Sequence, residues 1–163
     1  MVNVDSVVRD LKIEKKAQFD MIDLYKTMKS WFDLHEYKFA EKQYQEEVKG
    51  DKKSISIVWD GEKDVNEYTR FKLAVSISLK NYEFIETKKG KIVEGSLDIK
   101  FGAVVRSDYE NRWEKSPVMV FFRGIFDKFI ASNKKERYEK ELKEDAYDIF
   151  HRTKAYLNLH KFR

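Results

Sequence analysis

Histidine and cysteine, two residue types common in catalytic and metal sites, are scarce or absent in this 163-residue chain. There are three histidines, His35, His151 and His160, and no cysteine. No histidine has a second one at i,i+4 spacing, and "HEY" (35–37) lacks the second histidine of a zinc-binding helix. His151 and His160 are nine residues apart, so they point in opposite directions on a helix that turns about 100° per residue. His35 ends an apolar helix face, which favours a capping or half-buried role over a catalytic one.

Carboxylates cluster in two stretches of the sequence. "DGEKD" (60–64) begins like a calcium loop, but such a loop needs a glycine at its sixth position and a glutamate at its twelfth. Those positions hold Val65 and Phe71. "YENRWEK" (109–115) sets acidic residues around Arg112 and Trp113, an arrangement compatible with an acid–base pair or with a surface ion-pair cluster. We prefer the ion-pair cluster, and we predict no catalytic residue, no metal and no cofactor.

Composition indicates a folded domain with a highly charged surface. Charged residues make up 38% of the chain, against a usual ~25%, and aromatic residues make up 15%. This aromatic content argues against disorder, and we expect a single α+β domain over residues 1–163. The chain has no cysteine, no signal-peptide pattern and no apolar run of ~18 residues. These features favour a cytoplasmic protein without a transmembrane segment.

Apolar periodicity predicts the order of the elements. Residues 1–18 are expected to form an extended arm or a first strand, and residues 20–35 a helix with Asp20 as its N-cap. A two-residue period predicts strands over 37–48, 54–59, 68–79 and 93–105, the third of which bends near Asn81. The stretch "SPVMVFFRGIFDKFIAS" (116–132) predicts a helix over 117–131, and a last helix follows an N-cap at Asn133. The expected fold class is α+β: an antiparallel four- to five-stranded sheet, covered on one face by an N-terminal helix and two C-terminal helices.

A simple meander would sort the charges between the two ends of this sheet. The turns at 49–53 and 87–91 would share one end, which would be basic. The turn at 60–67 would lie at the other, acidic end. The helix over 117–131 is expected to run back toward the basic end. The predicted anion-binding residues are therefore Lys49, Lys52, Lys53, Lys88, Lys89, Lys91, Lys134 and Lys135.

This charge pattern favours a non-enzymatic binding or adaptor domain. Its partner would be an anionic macromolecule, either nucleic acid or an anionic lipid surface. Lysines at hairpin tips also keep sheets soluble and discourage edge pairing, so the pattern has a second explanation that needs no partner.

The order of elements resembles the helix-grip fold, in which a curved antiparallel sheet wraps a long C-terminal helix. The segments "FDMIDLYKTMKSWFD" and "DYENRWEKSP" resemble those of small uncharacterised archaeal proteins, which implies no activity and no functional residue. The helix-grip resemblance implies an apolar cavity between the sheet and residues 117–131. The alternative function is therefore a carrier of a small apolar ligand. Its candidate cavity residues are Phe122, Phe126, Phe129, Phe101 and Trp31.

Overall fold

The computed structural model describes residues 3–88, 90–107 and 131–159. Its largest element is one antiparallel sheet of five strands, with the spatial order β1-β5-β4-β3-β2. The strands are β1 (Asn3–Phe19), β2 (Lys38–Lys49), β3 (Lys52–Asp64), β4 (Thr69–Thr87) and β5 (Gly90–Ser107). Helix α1 (Met21–Leu34) connects β1 to β2, and helix α2 (Ala131–Leu159) follows the sheet. Strands β2 to β5 thus form a meander, and β1 pairs with its last strand.

The predicted fold class is wrong in its balance of sheet and helix. The α+β class and the antiparallel sheet are confirmed, but the described part of the chain is mostly sheet and contains two helices rather than three. Residues 117–130 of the predicted middle helix lie outside the described residues. The last helix begins at Ala131, so Asn133 lies within it and is not its N-cap.

The first strand shows why the amount of sheet was underestimated. β1 is 17 residues long, and its register against β5 shifts between Ser6 and Val8 and again between Val8 and Leu11. Each irregularity changes which side chains face the core. The two-residue period is therefore interrupted in the sequence although the strand continues.

Alternation along the other strands gives the sheet one buried face, which we call the helix face. Over residues 54–64 of β3, 70–80 of β4 and 96–106 of β5, the even-numbered positions are mostly serine or charged and are at least partly exposed. The buried odd-numbered positions are Ile55, Ile57, Trp59, Phe71, Leu73, Val75, Ile77, Leu79, Leu97, Ile99, Phe101, Ala103 and Val105. These side chains form the core beneath the two helices.

A β-bulge lies where the sequence predicted a bend in β4. Asn81 and Tyr82 together oppose Gly95, and Asn81 has a φ of 52°. A Cβ on Gly95 would lie 2.9 Å from the Cβ of Tyr82 and 3.0 Å from the carbonyl oxygen of Lys80. Only glycine fits there, because any side chain would overlap the bulged strand.

Helix α1 starts at the predicted N-cap and crosses the helix face. The Asp20 carboxylate accepts hydrogen bonds from the backbone N–H groups of Ile22 at 3.0 Å and Asp23 at 3.2 Å. Such a cap satisfies two of the free donors at a helix start. The helix buries Leu24, Met28, Trp31 and Phe32 against the sheet.

Helix α2 runs in the direction opposite to α1. Near its start, Lys135 Nζ lies 3.2 Å from Asp5 Oδ2 at the beginning of β1. Near its end, the Tyr156 hydroxyl donates to Asp23 Oδ2 at 3.1 Å. Neither described helix has an apolar stretch long enough to cross a membrane.

Candidate anion-binding site at the hairpin tips

The sheet topology puts two hairpin tips at the same end of the molecule. The first tip joins β2 to β3 through residues 50–51, and the second joins β4 to β5 through residues 88–89. The connection between β3 and β4 lies at the opposite end, where Asp64 pairs with Arg70. We call these the basic end and the acidic end.

The first tip holds three lysines close together. Gly50 has a φ of 62°, which glycine adopts without steric cost, and this permits a two-residue turn. The turn sets Lys49 directly opposite Lys52, and Lys53 follows. Lys49 Nζ lies 3.2 Å from Glu47 Oε1, whereas Lys52 and Lys53 form no ion pair with a described residue. Like charges directly opposite each other destabilise a strand pair, so Lys49 and Lys52 weaken the pairing of β2 with β3 at this tip.

The second tip carries lysines next to an exposed aromatic ring. Lys88 and Lys91 are both exposed, and Lys88 has no ion-pair partner among the described residues. Lys91 Nζ lies 4.5 Å from the centroid of the Phe84 ring, whose residue is 51% exposed. The tip is closed by a hydrogen bond of 2.7 Å from the Thr87 hydroxyl to the Gly90 carbonyl. Both tips therefore offer ammonium groups to solvent.

The acidic end differs because its carboxylates already have basic partners. Arg70 contacts both Asp64 and Glu62, the latter at 3.3 Å. Lys72 Nζ lies 3.5 Å from Asp60 Oδ2. These pairs arise across the β3–β4 ladder, where opposite charges stabilise the pairing. The ion pairs of the described residues thus involve the basic side chains of the acidic end, whereas Lys52, Lys53 and Lys88 at the basic end have no ion-pair partner among those residues.

The structure places five of the eight lysines predicted to bind an anion at the same end of the sheet, on two separate tips: Lys49, Lys52, Lys53, Lys88 and Lys91. We call these the basic-end lysines. Lys135 lies at the acidic end beside Asp5, because α2 starts there and not at the basic end. Lys89 and the side chain of Lys134 lie outside the described residues.

The predicted ligand cavity is described only in part. Phe122, Phe126 and Phe129 lie outside the described residues. Trp31 is 3% exposed and Phe101 1% exposed, and no ring contact within the described chain joins the two. Trp31 stacks on His35, and Phe101 meets Phe150 edge to face at 5.8 Å. Both rings are therefore engaged in packing the helices onto the sheet.

A polar cluster that the sequence did not predict joins the two helices. The Trp31 indole Nε1 donates to Asp148 Oδ2 at 2.7 Å. The same oxygen lies 3.7 Å from His35 Nε2 and 3.3 Å from Arg152 Nε. His35 stacks on Trp31 with ring centroids 4.1 Å apart. We call Trp31, His35, Tyr37, Asp145 and Asp148 the interhelix cluster.

His35 has the role that its sequence position favours. It is the C-cap residue of α1, its Nδ1 is 2.9 Å from the Trp31 carbonyl oxygen, and its side chain is 26% exposed. No group of three or more potential metal ligands occurs in the described residues. The hydrogen bond from Trp31 to Asp148 joins α1 to α2, so the cluster has the form of a structural clasp.

Tyr37 gives this cluster a pH dependence. Its hydroxyl donates to Asp145 Oδ2 at 2.8 Å, and burial, followed by the nearby Asp145 carboxylate, raises the pKa of Tyr37 far above its usual value. A tyrosine whose pKa is raised by folding contributes its full stabilisation below its pKa in the unfolded chain, which is about 10. This contribution decreases as the pH rises above that value. The urea concentration at the midpoint of unfolding should therefore decrease when the pH is raised from 9 to about 11. Tyr37→Phe should flatten this decline, and an unchanged slope would contradict the assignment.

The fold and these sites define an α+β protein, with an antiparallel meander extended by β1 and two described helices on one sheet face. Comparisons with protein-family models, curated proteins and solved structures found no match.

Proposed function

We propose that the protein is a cytoplasmic, non-enzymatic binding domain that holds an anionic macromolecule at its basic end. The single observation that carries the proposal is the first hairpin tip. There, Lys49 faces Lys52 across the ladder, and neither Lys52 nor Lys53 has an ion-pair partner among the described residues. A phosphate group between these ammonium groups would relieve their repulsion.

The second tip supports the same proposal. Its exposed Lys88 and Lys91 lie at the same end of the sheet as the first tip, so one extended anion can reach both. A macromolecule with repeated phosphates suits two separated lysine groups better than a single small ion, because each contact adds to the association energy. The carrier alternative has less support, since Trp31 and Phe101 are committed to core packing.

The test compares two variants of equal net charge. Lys52→Glu/Lys53→Glu changes the first tip, and Lys140→Glu/Lys143→Glu changes two exposed lysines of α2. Each pair of substitutions lowers the formal net charge by four, from +4 to zero. Binding is measured with a fluorescent single-stranded RNA and with vesicles that contain phosphatidylserine.

We expect the tip variant to lose at least about tenfold in affinity for one of the two probes, because each lysine at an anionic surface contributes about 1 kcal/mol. The α2 variant should change by less than about twofold, since charges beyond a Debye length are screened. Equal losses in both variants would show that net charge alone drives binding. Unchanged affinity of the tip variant would refute the proposal.

A further inference from the structure

The hairpin between β4 and β5 extends beyond the neighbouring strands at the basic end. β4 pairs with β3 only as far as Lys80, and β5 pairs with β1 only from Val93 onward. Residues 85–92 therefore pair only with each other among the described strands. Phe84 lies at the base of this two-stranded segment, where it pairs with Val93.

The two faces of this hairpin carry different side chains. Val93 belongs to the buried core, so its partner Phe84 lies on the helix face. Lys91 is two residues from Val93 and lies on the same face. Glu83 and Glu94 are opposite each other at the next position of the ladder, so both lie on the other face. The Phe84 ring and the Lys91 ammonium group thus share a surface from which these two carboxylates point away.

Lys91 contacts the Phe84 ring rather than a carboxylate. Its Nζ lies 4.5 Å from the ring centroid, and it forms no ion pair with a described residue although Glu86 is opposite it in the ladder. The Tyr82 and Phe84 rings meet edge to face with centroids 5.7 Å apart, so Tyr82 supports the Phe84 ring. Phe84 is nevertheless 51% exposed. Exposed aromatic rings beside lysines are the groups on which single-stranded nucleic acids stack their bases.

We propose that the macromolecule held at the basic end is a single-stranded nucleic acid, one base of which stacks on Phe84. This inference rests on the proposed function and names its partner. Lys91 would contact a phosphate next to the stacked base. The lysines of the first tip would contact phosphates further along the same strand, because both tips lie at one end of the sheet.

A lipid surface fits this arrangement less well. Phe84 comes four residues before Lys88, so its ring lies roughly 13 Å back from the turn at residues 88–89. A flat bilayer that meets the lysines of the tip end-on would not contact the ring at that depth. A flexible strand can contact the tips and also reach back to the ring. A duplex fits less well too, because its bases already stack on each other.

Removal of the bases tests the stacking separately from the phosphate contacts. Binding of the full chain is measured with a fluorescent single-stranded RNA and with an abasic RNA of the same length. The wild type should bind the RNA with bases about fivefold or more tightly, because stacking of one base on an aromatic ring contributes at least that much. Phe84→Ala should lose about fivefold or more in affinity for this RNA and less than about twofold for the abasic chain.

Two further variants separate stacking from a general loss of structure. Phe84→Trp keeps an aromatic face and should bind the RNA within about twofold of the wild type. Tyr147→Ala removes an aromatic ring that is 39% exposed on α2, and it should leave the affinity for RNA unchanged. Binding of the abasic chain shows in each variant whether the lysines of the tips still function.

Three results would contradict the stacked base. These are equal affinity of the wild type for both RNA chains, equal losses of Phe84→Ala on both chains, and binding of phosphatidylserine vesicles without binding of RNA. In each case Lys52→Glu/Lys53→Glu should still weaken binding, so the proposed function would stand. Unchanged affinity of that variant for every probe would instead overturn the proposed function and this inference with it.

Discussion

Replacing Phe32 with alanine is expected to lower the free energy of unfolding by about 3–5 kcal/mol. The Phe32 side chain is fully buried, with ring centroids 5.5 Å from Trp31, 6.1 Å from Tyr37 and 5.5 Å from Phe39. Removing it leaves a cavity among rigid rings that cannot collapse into the space. Urea denaturation followed by circular dichroism measures the loss.

The same ring explains why residue 61 is glycine. A Cβ on Gly61 would lie 2.5 Å from Phe32 Cε1 and 2.6 Å from its Cδ1. The Phe32 ring is fully buried among three other rings, so Gly61→Ala should cost about 1–3 kcal/mol through overpacking. In the Phe32→Ala background the added methyl group enters the cavity, and its cost should fall to about zero.

Gly102→Ala is the matched control for this glycine substitution. A Cβ there would find its nearest neighbour, the Val8 carbonyl oxygen, at 3.8 Å, which is an ordinary contact. Its effect on stability should stay within about 0.5 kcal/mol. If Gly61→Ala cost no more than Gly102→Ala, or if its cost persisted without the Phe32 ring, the proposed close contact would be wrong.

Replacing Asp148 with alanine should destabilise the protein by about 1.5–3 kcal/mol. In the wild type, Asp148 Oδ2 accepts from the buried Trp31 indole N–H at 2.7 Å and lies beside His35. The substitution removes this acceptor and this carboxylate. Asp148→Asn should cost less, because the amide oxygen can still accept the indole hydrogen bond. Thermal and urea unfolding of the three proteins give the comparison.

Glu144→Ala is the control for the change of charge on α2. Glu144 is exposed on the same helix, and its loss should alter stability by less than about 0.5 kcal/mol. A cycle with Trp31→Phe isolates the hydrogen bond, since Asp148→Ala should cost much less once the indole is gone. Equal costs of Asp148→Ala in both backgrounds would contradict the clasp between α1 and α2.

The charged ends of the sheet could be predicted because they follow from local patterns. Alternating residues identify antiparallel strands, and consecutive antiparallel strands place alternate turns at the same end. Lys52 and Lys88 therefore come to one end once the meander is correct. The position of Lys135 could not be predicted in this way, because it depends on where the chain enters α2 and which strand α2 crosses.

The interhelix cluster and the edge position of β2 in the described sheet could not be predicted from sequence patterns either. Trp31 and Asp148 are 117 residues apart in the chain. Nothing in the sequence distinguishes a helix aspartate that accepts a hydrogen bond from a distant indole from one that faces solvent. The strand over 37–48 was predicted, but nothing in its residues showed that it would end the sheet. That follows from β1, which pairs with β5 at the other edge.

The sequence by itself determined the buried faces of β3, β4 and β5, the N-cap of α1 at Asp20 and the separation of basic and acidic turns. These depend on side-chain alternation and on contacts between residues a few positions apart. Only the tertiary structure decided the edge position of β2, the clasp at Asp148 and the fit of Phe32 against Gly61. Those features depend on contacts between elements distant in the chain, whose geometry exists only after the sheet and both helices have packed together.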